Sequence, residues 1–331
     1  MATTRERVFS GVQPTGVPHL GNLLGAFQHW VGDQDTHDCL YCVVDLHSIT
    51  VPYEPEELRT ASLGMATLLM AVGIDPQRAI LFLQSHVREH SELAWILNCV
   101  ATMGELRRMT QFKEKSGGQE SVSVGLFDYP VLQAADVLLY NAHRVPVGDD
   151  QRQHLELMRD IAVRFNGRFG ETFVVPEASI PRVGARIMDL QAPTNKMSKS
   201  GGTELGTIWL NDPPARLKKK IMGAVTDSGA EVRADASKPG VTALLEILAA
   251  VTGTTVAALE QQYAGSQYGQ FKKDVLDATV AFLEPIQVRH AELAADPGEV
   301  MRGLAASADR AREIAVTTMA SVRDAVGLLH W

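Results

Sequence analysis

The chain has 331 residues, a formal net charge of −8 and 45% hydrophobic residues. It is long enough for one large core or two domains. Its acidic balance argues against a protein that coats nucleic acid nonspecifically, although local phosphate contacts need only a basic patch. Because the start is polar and no apolar run approaches membrane-spanning length, we expect a cytoplasmic protein with no membrane association.

The first half of the chain alternates strand and helix patterns. Apolar runs predict buried strands at 7–12, 40–45 and 79–84. Helical apolar spacing lies between and after them, at 20–34, 55–72 and 90–103. Repeated strand–helix units predict an α/β fold with a Rossmann-like, doubly wound parallel sheet, which binds ligands at the carboxyl ends of its strands.

The second half changes character. A helix is predicted at 131–140, a short strand at 144–147 and a further helix after 148–150. Beyond residue 211 the strand patterns stop, and helical spacing recurs near 241–252, 254–263, 270–291 and 298–328. We therefore predict a Rossmann-like domain at 1–185, a loop region at 186–210 and a mainly helical C-terminal domain at 211–331.

The three cysteines cannot form a disulfide framework. Cys39 and Cys42 have the C-x-x-C spacing of metal and redox sites, but they open an apolar run. We expect buried thiols and no metal bound by cysteine.

The segment 195–202, NKMSKSGG, combines two lysines with two hydroxyl side chains and a glycine pair. Lys196 and Lys199 can supply point charges to a polyphosphate, Ser198 and Ser200 can donate O–H groups, and the glycines let the backbone approach the ligand. The alternative is an ordinary solvated basic loop.

The segment 9–22, FSGVQPTGVPHLGN, runs from a strand through a Gly/Pro turn into a helix start. Free N–H groups at such a helix start favour anions. Neither the G-x-G-x-x-G nor the P-loop fingerprint is present. The part 14–22 resembles the HIGH signature of class I aminoacyl-tRNA synthetases, and 196–200 matches their KMSKS signature letter for letter.

Over essentially its whole length the chain resembles bacterial tryptophanyl-tRNA synthetases. The matching segments, in family order, are 9–14, 44–50, 104–113, 129–136, 145–151, 184–188 and 224–228. The resemblance implies that L-tryptophan reacts with ATP to give tryptophanyl-adenylate and pyrophosphate, and that the tryptophanyl group then passes to tRNA(Trp). It also implies a homodimer, an anticodon-binding role for 211–331, and Mg²⁺ held mainly by the ATP phosphates. The basic run 218–220 is a candidate RNA contact.

The resemblance also implies site residues. The catalytic residues would be Lys196, Ser198, Lys199, His19, Lys115 and Gln13. The ATP contacts would be Gly11, Gln13, Pro14, Thr15, His19, Gly21, Asn22, Gly148, Asp149, Asp150, Ile187, Lys196, Met197, Ser198, Lys199 and Ser200.

Selection of tryptophan requires a flat apolar slot with one acceptor for the indole N–H, the only polar atom of the ring. Asp136 lies in an apolar helical pattern, where an unpartnered carboxylate is costly. A structural cap or ion pair is one explanation for it, and the resemblance implies the indole acceptor. The other slot residues implied are Phe9, His47, Tyr129, Gln133, Val145, Val147 and Gln151. Tyr129 and Gln151 would hold the ammonium and carboxylate ends.

The chain departs from the family pattern in four places. His19 stands where many bacterial members carry threonine, and Gln133 stands where the better-known members have methionine against the indole. Asp149 replaces a usual glutamate, and 201–206 lacks the expected Asp/Pro-rich run. A polar Gln133 is expected to alter slot packing and tolerance for substituted indoles or inhibitors.

Two other functions remain open at the level of sequence. A tyrosyl-tRNA synthetase shares the class fold, but a phenol both donates and accepts, so its slot needs paired polar groups. Asp136 among apolar neighbours favours indole instead. A duplicated synthetase copy with an inhibitor-resistance or regulatory role is the second alternative, and the intact signature lysines favour retained catalysis.

Overall fold

The computed structural model describes residues 5–116, 122–146, 148, 151–179, 187–199 and 201–329. Its centre is a parallel sheet of the strands β1 (Arg7–Val12), β2 (Asp38–Val43), β3 (Ile80–Leu83), β4 (Arg144–Pro146) and β5 (Glu177–Ser179). The strand order is β3-β2-β1-β4-β5. The chain leaves β1 toward β2 and later returns on the other side of β1 as β4, so the order reverses beside β1. Ligands bind at such a reversal, outside the carboxyl ends of the strands.

Helices cover both faces of this sheet. Those of the first two hundred residues are α1 (Leu20–Asn22), α2 (Gln28–Asp33), α3 (Asp45–Ser48), α4 (Pro55–Val72), α5 (Glu89–Asn98), α6 (Met103–Arg108), α7 (Thr110–Ser116), α8 (Val124–Leu138) and α9 (Arg152–Phe169). A π-helical turn, Leu23–Phe27, joins α1 to α2. Those that follow are α10 (Pro214–Met222), α11 (Pro239–Thr252), α12 (Val256–Gln262), α13 (Tyr268–Ala295) and α14 (Pro297–Val326). The predicted α/β fold and helical C-terminal region are confirmed.

Two elements differ from the sequence prediction. Helix α8 begins at Val124 rather than near residue 131, because Ser123 caps it by accepting a hydrogen bond from the main-chain N–H of Leu126 at 3.1 Å. The helix continues through Pro130, which the sequence pattern does not reveal. Strand β5 was not predicted, since its three residues are too short for a periodic pattern.

The sheet has a separate apolar core on each face. On one face Val8, Tyr41 and Leu81 pack with residues of α4, α11 and α13. On the other face Phe9, Leu40 and Phe82 pack with residues of α5, α8 and α9. Because neighbouring residues of each strand point to opposite faces, both cores are built from the same three strands.

Helix α14 joins the two cores. Val300 and Leu304, near its start, belong to the first core, whereas Ala308 and Met319 belong to the second. The helix packs along the edge strand β3. The guanidinium of Arg310 donates to the main-chain carbonyl of Pro76 at 2.8 Å, just before that strand. Covering an edge strand in this way protects its unpaired main-chain groups.

No single helix in the described ranges is both long and apolar enough to cross a membrane; one sharply bent pair, α11 with α12, meets the length and composition criteria together.

Candidate active site

The turn after β1 and the lysine-containing loop lie side by side. The main-chain N–H of Leu20 donates to the carbonyl of Ile208 at 2.8 Å, and His19 forms an isolated antiparallel bridge with Trp209. A Cβ atom built on Gly21 would lie 3.6 Å from the Cβ of Ile187. The two signature segments, separated by most of the chain in sequence, therefore form one surface.

The lysine loop is shaped by local hydrogen bonds. Met188 and Lys196 form an antiparallel bridge, and the N–H of Met197 donates to the carbonyl of Ile187 at 2.9 Å. The Met197 side chain is buried, so the chain on either side of it turns outward. Ser198 Oγ accepts from the N–H of Gly201 at 3.1 Å. The loop thereby presents Lys196 and Lys199 on the side of the β1 turn.

Lys199 reaches that turn directly. Its Nζ donates to the main-chain carbonyl of Thr15 at 2.6 Å, next to Gly16, whose φ of 61° lies in the left-handed region that favours glycine. Pro14 is buried beneath the turn, whereas Gln13 and Thr15 are exposed. The carboxamide oxygen of Asn22 accepts from the main-chain N–H of His19 at 3.0 Å, which fixes the start of α1.

His19 is buried between the two segments. Burial and, to a smaller extent, the ammonium groups of Lys199 and Lys196 together lower its pKa to about 4. The imidazole is therefore neutral at pH 7. Its Nδ1 atom is buried and has no hydrogen-bond partner among the residues that the structure describes.

A cavity of about 260 Å³ opens at the carboxyl ends of β1 and β4. Of the residues predicted for the site, Phe9, Gly11, Gln13, His47, Tyr129, Gln133, Asp136, Val145 and Gln151 line it. The sequence prediction omitted five other lining residues, which are Ser10, Val44, Gln111, Val137 and Pro146. Ser10, Val137 and Pro146 are adjacent to predicted residues, and Val44 and Gln111 lie in segments that match the family, so proximity to the motifs was the available signal.

Asp136 lies at the bottom of this cavity with only 2% of its surface exposed. Its Oδ2 accepts from Nε2 of His47 at 2.8 Å, and its Oδ1 accepts from the carboxamide of Gln84 at 2.6 Å and from Nδ1 of His90 at 2.7 Å. Burial alone would raise the pKa of Asp136, but its electrostatic interactions and hydrogen bonds with His47 and His90 reverse this and hold it below its usual value. The carboxylate is thus ionised at neutral pH.

Other polar side chains also line the cavity. Tyr129 Oη donates to the carboxamide oxygen of Gln111 at 3.1 Å and lies 2.8 Å from Nε2 of His154. The carboxamides of Gln133 and Gln151 are 3.4 Å apart. The cavity therefore combines a buried anion and apolar side chains with amides and a phenol, a lining suited to a ligand with an apolar body and a polar end.

Some predicted residues are outside this description. Val147, Asp149, Asp150 and Ser200 lie outside the described residues, as does the side chain of Lys115, whose main chain belongs to α7. Gly148 is exposed, and its carbonyl accepts from the N–H of Gln151 at 3.0 Å.

One candidate from the basic run 218–220 is wrong. Lys220 is fully buried, and its Nζ pairs with the carboxylate of Asp212 and with the carbonyl of Thr207 at 2.6 Å. It therefore fastens α10 to the preceding loop and is not available to RNA, whereas Lys218 and Lys219 are exposed.

The described ranges contain no group of three or more His, Cys, Asp or Glu side chains placed to hold a metal ion. Cys39 and Cys42 are buried free thiols, as predicted, while Cys99 is exposed.

Comparison with known proteins places this site in a family. The family model for class I tRNA synthetases (W and Y) matches residues 1–284. A tryptophan–tRNA ligase of Caldanaerobacter subterraneus subsp. tengcongensis is 51% identical over 325 residues, which cover 98% of this chain and 99% of that protein.

Solved structures agree with this assignment. A tryptophanyl-tRNA synthetase from Mycoplasma pneumoniae has a TM-score of 0.88 at 38% identity, covering 98% of this chain and 99% of that one. The enzyme from Campylobacter jejuni, complexed with ADP and tryptophan, has a TM-score of 0.85 at 35% identity, covering 97% of this chain and 100% of that one. The chain with its paired β1 turn and lysine loop thus belongs to the class I tRNA synthetases of the tryptophan and tyrosine type.

Proposed function

We propose that the chain is a tryptophan–tRNA ligase, which activates L-tryptophan with ATP and transfers the tryptophanyl group to tRNA(Trp). The observation that carries the amino-acid specificity is Asp136, a buried ionised carboxylate that lines the cavity beside the two signature segments. An indole N–H is a donor without acceptor capacity, and a carboxylate is an acceptor without donor capacity. The phenol O–H of tyrosine both donates and accepts hydrogen bonds. The Asp136 carboxylate can accept from it but offers no donor to its lone pairs, so it suits the phenol less well than the indole.

Tryptophan binding is assigned to the cavity. Its indole ring lies between Phe9, Val145 and Gln133, with Val147 as a further contact, and His47 orients the carboxylate that receives the ring N–H. The wall of Tyr129 and Gln151 binds the ammonium and carboxylate ends. Tyr129 and Gln151, like Phe9 and Asp136, line the cavity that opens beside β1. The carboxylate of the substrate then faces the β1 turn, where ATP is expected.

ATP activation is assigned to the surface where the two signatures meet. The reaction requires the carboxylate to approach the α-phosphorus in line while the charge of the departing pyrophosphate is stabilised. Lys196, Lys199 and Ser198 are placed for that stabilisation, and Lys115 is proposed as a further phosphate contact. Neutral His19 can donate one N–H to a phosphate oxygen, and Gln13, which lines the cavity, is assigned to the same step.

The remaining nucleotide contacts are assigned by the same reasoning. They are Gly11, Pro14, Thr15, Gly21, Asn22, Gly148, Asp149, Asp150, Ile187, Met197 and Ser200. A Cβ atom at Gly21 would lie 3.0 Å from the His19 ring, so this glycine accommodates the imidazole at the start of α1. Mg²⁺ enters with ATP, held by phosphate oxygens and water, which is how this ion is usually bound in nucleotide sites.

We further propose a homodimer that charges tRNA in the cytoplasm, with 211–331 reading the anticodon. Three large apolar side chains, Trp95, Met103 and Val124, are exposed on helices between β3 and β4. Trp95 is 71% exposed, and tryptophan is enriched at protein–protein contacts. Trp95→Glu is expected to shift the mass measured by light scattering from dimer to monomer, and an unchanged mass would assign the dimer to another surface.

The function is tested by amino-acid-dependent ATP–pyrophosphate exchange with tryptophan and with tyrosine. We expect exchange with tryptophan that falls at least about 100-fold in Asp136→Ala, and none of comparable rate with tyrosine. Asp160→Ala, an exposed carboxylate on the neighbouring helix α9, serves as the control with wild-type rate.

Each other outcome is informative. Exchange with tyrosine alone would overturn the tryptophan assignment. Tryptophan exchange that survives in Asp136→Ala would keep the reaction and discard Asp136 as the indole acceptor. No exchange with either amino acid would favour the duplicated, non-catalytic copy.

A further inference from the structure

We propose that His90 and Tyr140 are positioning residues for tryptophan selection, which hold the Asp136 carboxylate so that its Oδ2 faces the indole N–H. Neither residue lines the cavity, so both act on the substrate through other residues, His90 through Asp136 and Tyr140 through His90 and Phe9. The inference rests on the proposed function, because it explains how the acceptor for the indole is oriented.

The partners of Asp136 are divided unequally between its two oxygens. A carboxylate oxygen has two lone-pair directions. Oδ1 receives both Gln84 and His90, whereas Oδ2 receives only His47. Among the described contacts, the open acceptor position is therefore on Oδ2. A carboxylate held on one oxygen by two buried donors cannot exchange its oxygens without breaking both bonds.

Gln84 is itself fixed by the main chain. Its carboxamide oxygen accepts from the N–H of Leu46 at 3.1 Å, so the NH₂ end must face Asp136. The residue is fully buried at the end of β3, where rotation of the amide would turn its oxygen toward the Asp136 carboxylate and its NH₂ group toward the N–H of Leu46, both unfavourable contacts. One of the two donors to Oδ1 is thereby oriented by the fold.

The other donor is oriented by Tyr140. His90 is fully buried at the start of α5, with Nδ1 on Asp136 and Nε2 at 2.8 Å from Tyr140 Oη. The ionised carboxylate requires a proton on Nδ1, and in the tautomer with that proton Nε2 accepts from the Tyr140 hydroxyl. Without that hydroxyl the ring could carry its proton on Nε2 and turn an acceptor toward the carboxylate.

Tyr140 is held in turn by packing. It is fully buried, and its ring stacks on Phe9 with centroids 5.7 Å apart and planes 12° apart. Phe9 lines the cavity, so the same aromatic pair supports both the wall of the slot and the orientation of His90. The chain Tyr140–His90–Asp136 thus connects α8, the turn that follows it, and α5.

The test compares tryptophan with benzothienylalanine, in which a sulfur atom replaces the indole N–H. The readout is the ratio of kcat/KM for the two amino acids in pyrophosphate exchange. Both values come from one enzyme preparation, so any loss of folded enzyme cancels. A role confined to stability would lower both values equally and leave the ratio unchanged.

We expect Tyr140→Phe to reduce this ratio about tenfold and His90→Leu to reduce it about tenfold or more, since each weakens one hydrogen bond to a buried charge. His90→Asn should recover much of the ratio, because its Nδ2 can replace the donor at Nδ1. The control is Tyr41→Phe. Tyr41 is also fully buried and donates to the carbonyl of Trp30 at 2.7 Å, but it lies on the other face of the sheet. The ratio of kcat/KM for the two amino acids in Tyr41→Phe should therefore match that of the wild type.

The outcomes separate the two proposals. A wild-type enzyme that does not use tryptophan, or that does not prefer it over the sulfur analogue, overturns the proposed function or the role of Asp136. A wild type that does prefer tryptophan, with Tyr140→Phe and His90→Leu both retaining that preference within twofold, overturns the positioning role. If His90→Leu does not fold, Tyr140→Phe alone decides.

Discussion

The ammonium of Lys199 lies 2.6 Å from the main-chain carbonyl oxygen of Thr15, 184 residues earlier in the chain. This bond fastens the lysine loop to the turn after β1. Burial lowers the pKa of Lys199 below its usual value, but its partner is a neutral carbonyl and not a carboxylate. The positive charge is therefore not cancelled by this contact and remains for a phosphate group.

Replacement of Lys199 by methionine tests that role. Methionine has a similar length without the charge, so binding of tryptophan in the separate cavity should be little changed. We expect kcat of pyrophosphate exchange to fall about 100-fold or more, the typical loss for one group that stabilises transition-state charge. Lys273→Met on α13, which removes an exposed lysine, is the control. Equal rates for the two variants would remove Lys199 from the catalytic groups.

His19 predicts a dependence of stability on pH. Its pKa of about 4 in the folded chain is below the ordinary value of 6.5. Between pH 6.5 and pH 4 the unfolded chain binds a proton at His19 that the folded chain does not, so falling pH destabilises the folded protein. Well above pH 6.5 His19 is neutral in both states and does not contribute to the pH dependence of stability. His19→Thr removes this group. From pH 7.5 to 5, urea unfolding should show about 1 kcal/mol more loss for wild type than for the variant. Parallel curves would contradict the depressed pKa.

Gly206 predicts a steric requirement next to the lysine loop. A Cβ atom at this position would lie 2.0 Å from Oδ1 of Asp189, and this oxygen accepts from the N–H groups of Gln191 and Ala192. Gly206→Ala must therefore displace Asp189 and loosen the turn before Lys196. We expect a loss of about 1–3 kcal/mol in the free energy of unfolding, together with slower exchange.

The matched control is Gly32→Ala in α2, where an added Cβ meets nothing within 4 Å. It should leave exchange unchanged and stabilise the chain by about 0.5–1 kcal/mol, because alanine favours a helix more than glycine does. If Gly206→Ala has the same effects on the free energy of unfolding and on exchange as Gly32→Ala, the close approach of residue 206 to Asp189 is not needed for stability or for exchange.

The sequence was sufficient where structure follows from local pattern. Helix α4 has the bounds predicted from its apolar spacing and its opening proline, and β1 has the bounds of its apolar run. The place of the first signature segment, in the turn after β1, also followed, because ligands bind where parallel strands end. These features depend on residues near one another in the chain or on a rule of topology.

The partners of Asp136 could not be obtained in the same way. Gln84 and His90 lie 52 and 46 residues before it, and no spacing rule connects a glutamine after one strand to a carboxylate in a later helix. Lys220 was misassigned for a similar reason. Its burial depends on Asp212 and on the carbonyl of Thr207, which only the packed loop brings to it. Pairing of buried polar groups is a property of the tertiary fold.

An ion pair between Glu89 and Arg312 supplies the last prediction. Glu89, the residue before His90, is 3% exposed, and its Oε1 lies 3.3 Å from Nε of Arg312 on α14. Arg312→Leu leaves a buried carboxylate whose remaining cationic neighbours are the exposed Arg88, at 3.5 Å, and Arg323, so we expect a loss of about 2–4 kcal/mol in the free energy of unfolding. The double variant Glu89→Gln/Arg312→Leu removes the charge as well and should recover more than half of that loss. Urea unfolding of the four chains in this cycle gives the coupling energy. Additive effects of the two substitutions would show that this pair does not help to hold α14 to α5. Strong coupling would identify it as a second electrostatic link between these helices, beside the ion pair of Arg323 with Glu92.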